Sequence, residues 1–360
     1  MDNVTPMRVL VDQVAIRQLL ATHSRGIDRT DTALLDQVWD ESGHVAYGFF
    51  TGKPREFSAT VTGLMRGGPI TLHRTSNMWI KVRGDEAVSE SYVLAYTVTD
   101  DDGAPPVQTL IGGRYLDQFK RHHAGWRMTH RQYLMEWNVN WEGTGSTLPG
   151  FSSAFGPMGG HVDADPSVEF FKQPAPSSSG DLSMHNTDQL LTQVDVALSK
   201  LAIHELIMAQ ARAADRRDAA LLKSVWHDDA TVDVGFFNGS ISGYPEALFA
   251  ATAGLFRVYH SIANEWVEVQ GETAVAESYV IAFTTTPTPT GGSDALVGGR
   301  YLDRFERRNG IWKCSHRQFV MDWSMDQPAS DRSDAGMLSM LPSGGRFPDD
   351  PVYPLWASLK

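Results

Sequence analysis

Asp28 and His73 stand 45 residues apart in the first half of this 360-residue chain, and Asp215 and His260 stand 45 apart in the second. A carboxylate that hydrogen-bonds an imidazole fixes its tautomer and raises its basicity, so such a pair can accept a proton near neutral pH. The other reading is structural, a histidine satisfied within a sheet and an aspartate at the mouth of the next helix. Spacing alone leaves both open, because a duplication copies structural residues as readily as functional ones.

Further polar residues recur with the pairs. Asn77 and Tyr92 reappear as Asn264 and Tyr279 at the same offset of 187 positions (28 to 215), and each could donate a hydrogen bond to a substrate carbonyl oxygen as it becomes an enolate, or serve the sheet itself. Arg131 recurs as Arg317 on the last strand of each half, where alternation lets either His130 or Arg131 point inward but not both. Three positions are not copied: His23 becomes Gln210, His44 becomes Thr231 and Tyr47 becomes Val234. The first half is therefore richer in proton donors. Arg114 with Asp117, and Arg300 with Asp303, fall on opposite faces of their strands and read as structural.

The elements that must position these residues are written twice. AIRQLLATHSRGIDRTDTALLDQV at 15–38 returns as AIHELIMAQARAADRRDAALLKSV at 202–225, and Trp39, Gly48-Phe49-Phe50 and Glu90-Ser91-Tyr92 keep the offset. One deletion later, Gly112-Gly113-Arg114-Tyr115-Leu116-Asp117 returns as Gly298-Gly299-Arg300-Tyr301-Leu302-Asp303. The chain is a tandem duplication. In each half an apolar helical pattern runs from Leu10 to Gly26 or its equivalent, and Asp31 N-caps a short second helix that Glu41-Ser42-Gly43 ends. A strand is predicted at 45–50, a third helix at 53–64, and an antiparallel meander at 71–82, 87–98, 107–119 and 126–137. Helices followed by a meander make each half α+β. The domains are expected at 1–172 and 181–360, with 173–180 as linker. The Gly- and Pro-rich segment 159–166 is echoed at 344–351, which predicts that both extensions pack on a domain.

Composition sets the boundaries. A net charge of −12 with no Lys/Arg cluster excludes a nucleic-acid surface. The single cysteine, Cys314, rules out a disulfide framework or thiolate metal cage and reads as inert core, which fits a reducing compartment. No window is apolar enough for a membrane span, so a cytoplasmic protein is expected. No metal-ligand spacing and no phosphate-cradling loop occur, so neither metal nor cofactor is expected.

Helix, D-x-x-D-x-x-x-L-x-x-x-W, G-F-F, a strand bearing histidine, then G-G-R-Y-x-D and G-W-R-M-T-H-R together resemble the SnoaL-like branch of the nuclear transport factor 2-like superfamily, over roughly 11–137 and 198–323. The resemblance implies two tandem cone-shaped domains, each a curved mixed or antiparallel sheet wrapped round its helices with an apolar pocket at the open end. It also implies catalysis, since dehydratases and a dehydrochlorinase of this family abstract a proton with an Asp–His pair whose positions match Asp28 and His73, and again Asp215 and His260. Arg131 and Arg317 match a basic position that holds an anionic or leaving oxygen in some members. The dehydrochlorinase carries a lysine one helical turn before its aspartate, where this chain has His23 and Gln210. That departure counts against a halogenated substrate.

The expected protein is thus a cofactor-independent dehydratase of a hydrophobic hydroxylated ring compound such as a steroid or polyketide. Asp28, His73, Asp215 and His260 would be catalytic. His23, Tyr47, Asn77, Tyr92, Arg131, Asn264, Tyr279 and Arg317 would bind substrate. A double-bond isomerase, or a non-catalytic binding or assembly module, is the alternative. A homo-oligomer or an intramolecular pseudo-dimer is expected.

Overall fold

Ile16, Leu20 and Ile27 fall on one side of a helix and are buried, which gives α1 (Val4–Asp28) its inner face. The computed structural model describes residues 4–68, 71–99, 106–142, 161–165 and 187–359. Thr30 takes φ 52° and breaks the helix, and the Asp31 carboxylate then accepts from the Leu34 N–H at 2.9 Å to start α2 (Thr32–Val38). In the second half Arg217 takes φ 57° and Asp218 accepts from Leu221 N–H at 2.9 Å, between α4 (Thr187–Arg216) and α5 (Ala219–Ser224). The repeat is therefore one of geometry as well as of letters.

The structure corrects the sequence reading just beyond α2. The chain passes directly into β1 (Trp39–Ala46), so Glu41–Gly43 lies within a strand instead of ending a helix, and 47–50 forms the turn into β2 (Thr51–Gly52). Burial of Trp39 and Val45 and parallel pairing with the last strand decide this, with a bulge between Trp39 and His44 absorbing the acidic stretch. α3 (Pro54–Met65) follows as expected, then β3 (Leu72–Arg83), β4 (Glu86–Thr99), β5 (Val107–His122) and β6 (Gly125–Glu142). Their order is β2-β1-β6-β5-β4-β3, antiparallel except for β1 against β6, which makes the sheet mixed. The register slips between Gly112 and Gly113, where a Cβ on Gly112 would lie 2.1 Å from Trp137 Nε1.

β7 (Trp226–Asp233), β8 (Asn238–Ser240), α6 (Tyr244–Ala251), β9 (Arg257–Gln270), β10 (Thr273–Thr288), β11 (Gly291–Arg308) and β12 (Ile311–Pro328) repeat the plan in the order β8-β7-β12-β11-β10-β9. Buried Cys314 lies in this second core.

The halves join through a third apolar cluster. Tyr92, Leu94, Trp137 and Val139 of the first sheet meet Tyr259, Phe283 and Leu296 of the second half, with the Trp137 and Phe283 rings stacked at 4.0 Å. Beside it lies a buried ionic network. Arg114 binds Glu90 at 2.6 Å, Glu136 at 2.6 Å and Asp350 at 2.5 Å, while Arg212 of α4 binds Glu90 and Arg216 binds Glu136 at 3.0 Å. Three guanidiniums thus face three carboxylates, which is the condition for tolerating charge at such depth.

The C-terminal extension crosses back onto the first half. Asn138 donates to Asp331 at 2.6 Å, and α7 (Val352–Ala357) lays Val352 and Leu355 on Val88, Leu116 and Leu134. Of the first extension, 161–165 is described. Val162 N–H donates to Arg29 O at 2.8 Å and Arg29 pairs with Asp165 at 3.2 Å. The proposed linker 173–180 lies outside the described residues. Among those residues, no helix is long and apolar enough to cross a membrane.

Candidate active site

The break after α1 puts Asp28 beside the first residues of β3. His73 Nδ1 lies 2.7 Å from Asp28 Oδ1, the His73 backbone N–H donates to Oδ2 at 2.9 Å, and the Thr71 hydroxyl donates to Oδ1 at 3.1 Å. In the second half His260 Nδ1 lies 2.6 Å from Asp215 Oδ1 and the His260 N–H donates to Oδ2 at 3.1 Å. An ionised carboxylate accepts only, so both imidazoles present an Nδ1–H to it and turn Nε2 away from it. The two histidine side chains are 15% and 18% exposed. The aspartates do not cap the following helices, since Asp31 and Asp218 perform that task.

The remaining acceptor valence is filled differently in the two halves. Thr71 serves Asp28, whereas Asp215 Oδ2 receives the Tyr92 hydroxyl of the other half at 2.8 Å. Tyr92 is fully buried, and burial followed by the Asp215 charge pushes its phenol well above its ordinary pKa, so it remains a donor. Its hydroxyl therefore positions a carboxylate instead of meeting substrate. Tyr279, its copy, is 47% exposed.

Asn77 likewise turns to the neighbouring half. At φ 44°, it donates to His260 O at 2.8 Å and accepts from Ile262 N–H at 2.5 Å. The Asn264 side chain lies outside what is described. Arg131, not His130, enters the core. It makes two bonds to Asp117, at 2.7 and 2.8 Å, and lies 3.8 Å over the Tyr115 ring, while His130 stacks on His44 at 5.6 Å. Arg317 repeats this with Asp303, at 2.7 Å in both bonds, and Tyr301. Both arginines are thus tied to a carboxylate rather than turned toward a ligand.

His23 holds the most informative geometry in the first half. It is fully buried between Trp39, Phe57 and Tyr115, with Nδ1 2.9 Å from an Arg131 N–H. Burial first, then the charge of Arg131 and the proximity of His73, push its pKa well below the ordinary histidine value. The ring is therefore neutral, Nδ1 accepts, and the proton sits on Nε2, which is buried without a partner. Tyr47 lies alongside, its hydroxyl 2.6 Å from that of Tyr115, whose own pKa burial pushes up to about 12.

Sequence reasoning missed three of these contacts: Thr71 on Asp28, Tyr92 on Asp215, and the Arg131–Asp117 clamp. The clamp had a signal, because Asp117 and Arg131 repeat together and face each other across β5 and β6. Tyr92 had none, since its partner lies in the other half. Asp215 also lines a crevice of about 240 Å³ between the halves, with Trp137, Arg216, Arg257 and Arg346. Among the described residues no group of three or more His, Cys, Asp or Glu side chains could hold a metal ion.

The family described as the SnoaL-like domain matches residues 8–132 and again 195–318, so its two copies span most of the chain. The chain belongs to the SnoaL-like domain family. The two matched segments contain both dyads and both arginine clamps. Hexachlorocyclohexane dehydrochlorinase 1 of Sphingobium indicum is 26% identical over 138 residues, covering 37% of this chain and 88% of that relative. An uncharacterized protein of Mycobacterium tuberculosis is 27% identical over 123 residues, covering 33% and 82%. Among solved structures, a hexachlorocyclohexane dehydrochlorinase of the LinA-type3 form from Novosphingobium barchaimii matches at 26% identity and TM-score 0.31, covering 36% of this chain and 90% of its own. The Kfla4162 protein from Kribbella flavida matches at 23% identity and TM-score 0.33, covering 35% and 92%. Each of these covers about a third of this chain, and the curated dehydrochlorinase relative supports a lyase-type enzyme.

Proposed function

We propose that the protein is a cofactor-independent dehydratase acting on a hydrophobic hydroxylated ring compound of steroid or polyketide type. The observation that carries this reading is that each half presents a partly exposed imidazole fixed by a carboxylate at Nδ1 with Nε2 turned away from it. Such a base removes a proton from a carbon next to a carbonyl. The electron pair of the broken C–H bond passes into the enolate. As the enolate collapses, the neighbouring C–O bond breaks, and the hydroxyl leaves with the proton returned from Nε2 as water.

In the first half the buried Nε2–H of neutral His23 has no protein partner, and in the second the buried amide nitrogen of Gln210 has none either, so each half holds a spare donor at this position for an enolate oxygen. General base action of this kind supplies about two to four orders of magnitude in rate. The relatives' dehydrochlorination is also an elimination begun by proton loss, but the cation that would assist a departing chloride is absent at position 23.

The test is product analysis with hydroxylated cyclic ketones. The expected product is lighter by one water, and the His73→Ala/His260→Ala double variant should not form it. A product of unchanged mass with a moved double bond would instead identify an isomerase.

A further inference from the structure

The halves are joined by one interface, and the duplication has written both sides of that interface twice. On the first sheet Trp79, Val88, Tyr92 and Val139 are at most 8% exposed, covered by the second half and its C-terminal extension. Their copies, Trp266, Val275, Tyr279 and Met325, are 47–70% exposed. Four large apolar side chains kept on a bare sheet face form a patch that water does not favour.

The receiving side is duplicated too. In the second half it consists of Asp215, Tyr259, Arg212 and Arg216, with a turn of the extension in which Phe347 N–H donates to Arg216 O at 2.8 Å and Asp350 lies 3.7 Å from Arg216. The first half holds the same turn. Val162 N–H donates to Arg29 O at 2.8 Å and Asp165 lies 3.2 Å from Arg29, while Leu72, standing where Tyr259 stands, is 55% exposed. Charges match as well. Arg212 reaches Glu90 and Asp350 reaches Arg114 within the chain, and the same residue types recur at Arg25, Glu277, Asp165 and Arg300, where Arg300 lies 3.8 Å from Glu277 and Asp165 pairs with Arg29.

We propose that a second copy of this chain docks head to tail. Its Trp266 face covers the Asp28 mouth of the first copy, and its Tyr279 hydroxyl donates to Asp28 as Tyr92 donates to Asp215. The contact is heterologous, so copies continue into a ring or a row. Docking rests on burial and charge alone. The functional weight of Tyr279 rests on the catalytic reading of Asp28 and His73.

Light scattering of the full chain at micromolar concentration tests the docking. Wild type is expected as two or more copies, while Trp266→Glu and Leu72→Glu, both exposed positions on different halves, are each expected as monomers. Mixed together, these two variants keep one good face apiece and should form one dimer and nothing larger. A monomeric wild type overturns the proposal, as does a Leu72→Glu variant that still assembles through its Trp266 face. A second readout does not depend on catalysis. In assembled protein Tyr279→Phe should shift the low-field NMR signal of the proton shared by His73 and Asp28, and an unchanged signal would rule out the Tyr279 contact.

Discussion

His23 and His73 show how burial assigns different tasks to one residue type. His73 is partly exposed and meets a carboxylate, whereas His23 has neither advantage and is held neutral by its burial and then by Arg131. Replacing His73 with Ala is expected to lower turnover at the first site by about two to four orders of magnitude, checked by steady-state kinetics in a His260→Ala background. His23 also couples folding to pH. Its folded pKa is depressed below its unfolded value of about 6.5, so the unfolded chain binds the extra proton. Stability is therefore complete above that value and falls as pH drops toward the folded pKa, at up to about 1.4 kcal/mol per pH unit. His23→Gln, which installs the second half's residue, should flatten this decline in urea titrations between pH 7 and pH 5. An unchanged slope would remove His23 as its source.

Among the elements, the C-terminal extension does the most for its length. Asp350 is fully buried against Arg114, and removing its carboxylate leaves three buried guanidiniums facing two carboxylates. Asp350→Ala is expected to destabilise the chain by about 3–5 kcal/mol, visible as a lowered Tm in calorimetry. The order of elements was legible in the sequence because apolar periodicity and the Asp31 cap are local signals. The passage from α2 straight into β1 was not, because Glu41-Ser42-Gly43 has a helix-ending composition and pairing with β6, a non-local event, overrides it. Much of the site follows the same division. Asp28 with His73 could be paired from their repeated spacing, while the contacts of Asn77 and Tyr92 could not be read because their partners belong to the other half.

At the scale of the whole molecule, the duplication holds two similar dyads in unlike surroundings. Asp215 is braced by a tyrosine from across the interface and Asp28 by a threonine of its own half. Tyr92→Phe is therefore expected to reduce turnover at the second site alone, measured in a His73→Ala background, and to leave the His260→Ala background unchanged. Native mass spectrometry of ligand retained from a cell extract tests most directly whether both imidazoles abstract a proton so that water is lost. The His73→Ala/His260→Ala variant should retain a hydroxylated ring compound intact, and wild type should hold the same compound lighter by one water. The same unaltered mass in both proteins would contradict the account and make the chain a binding module.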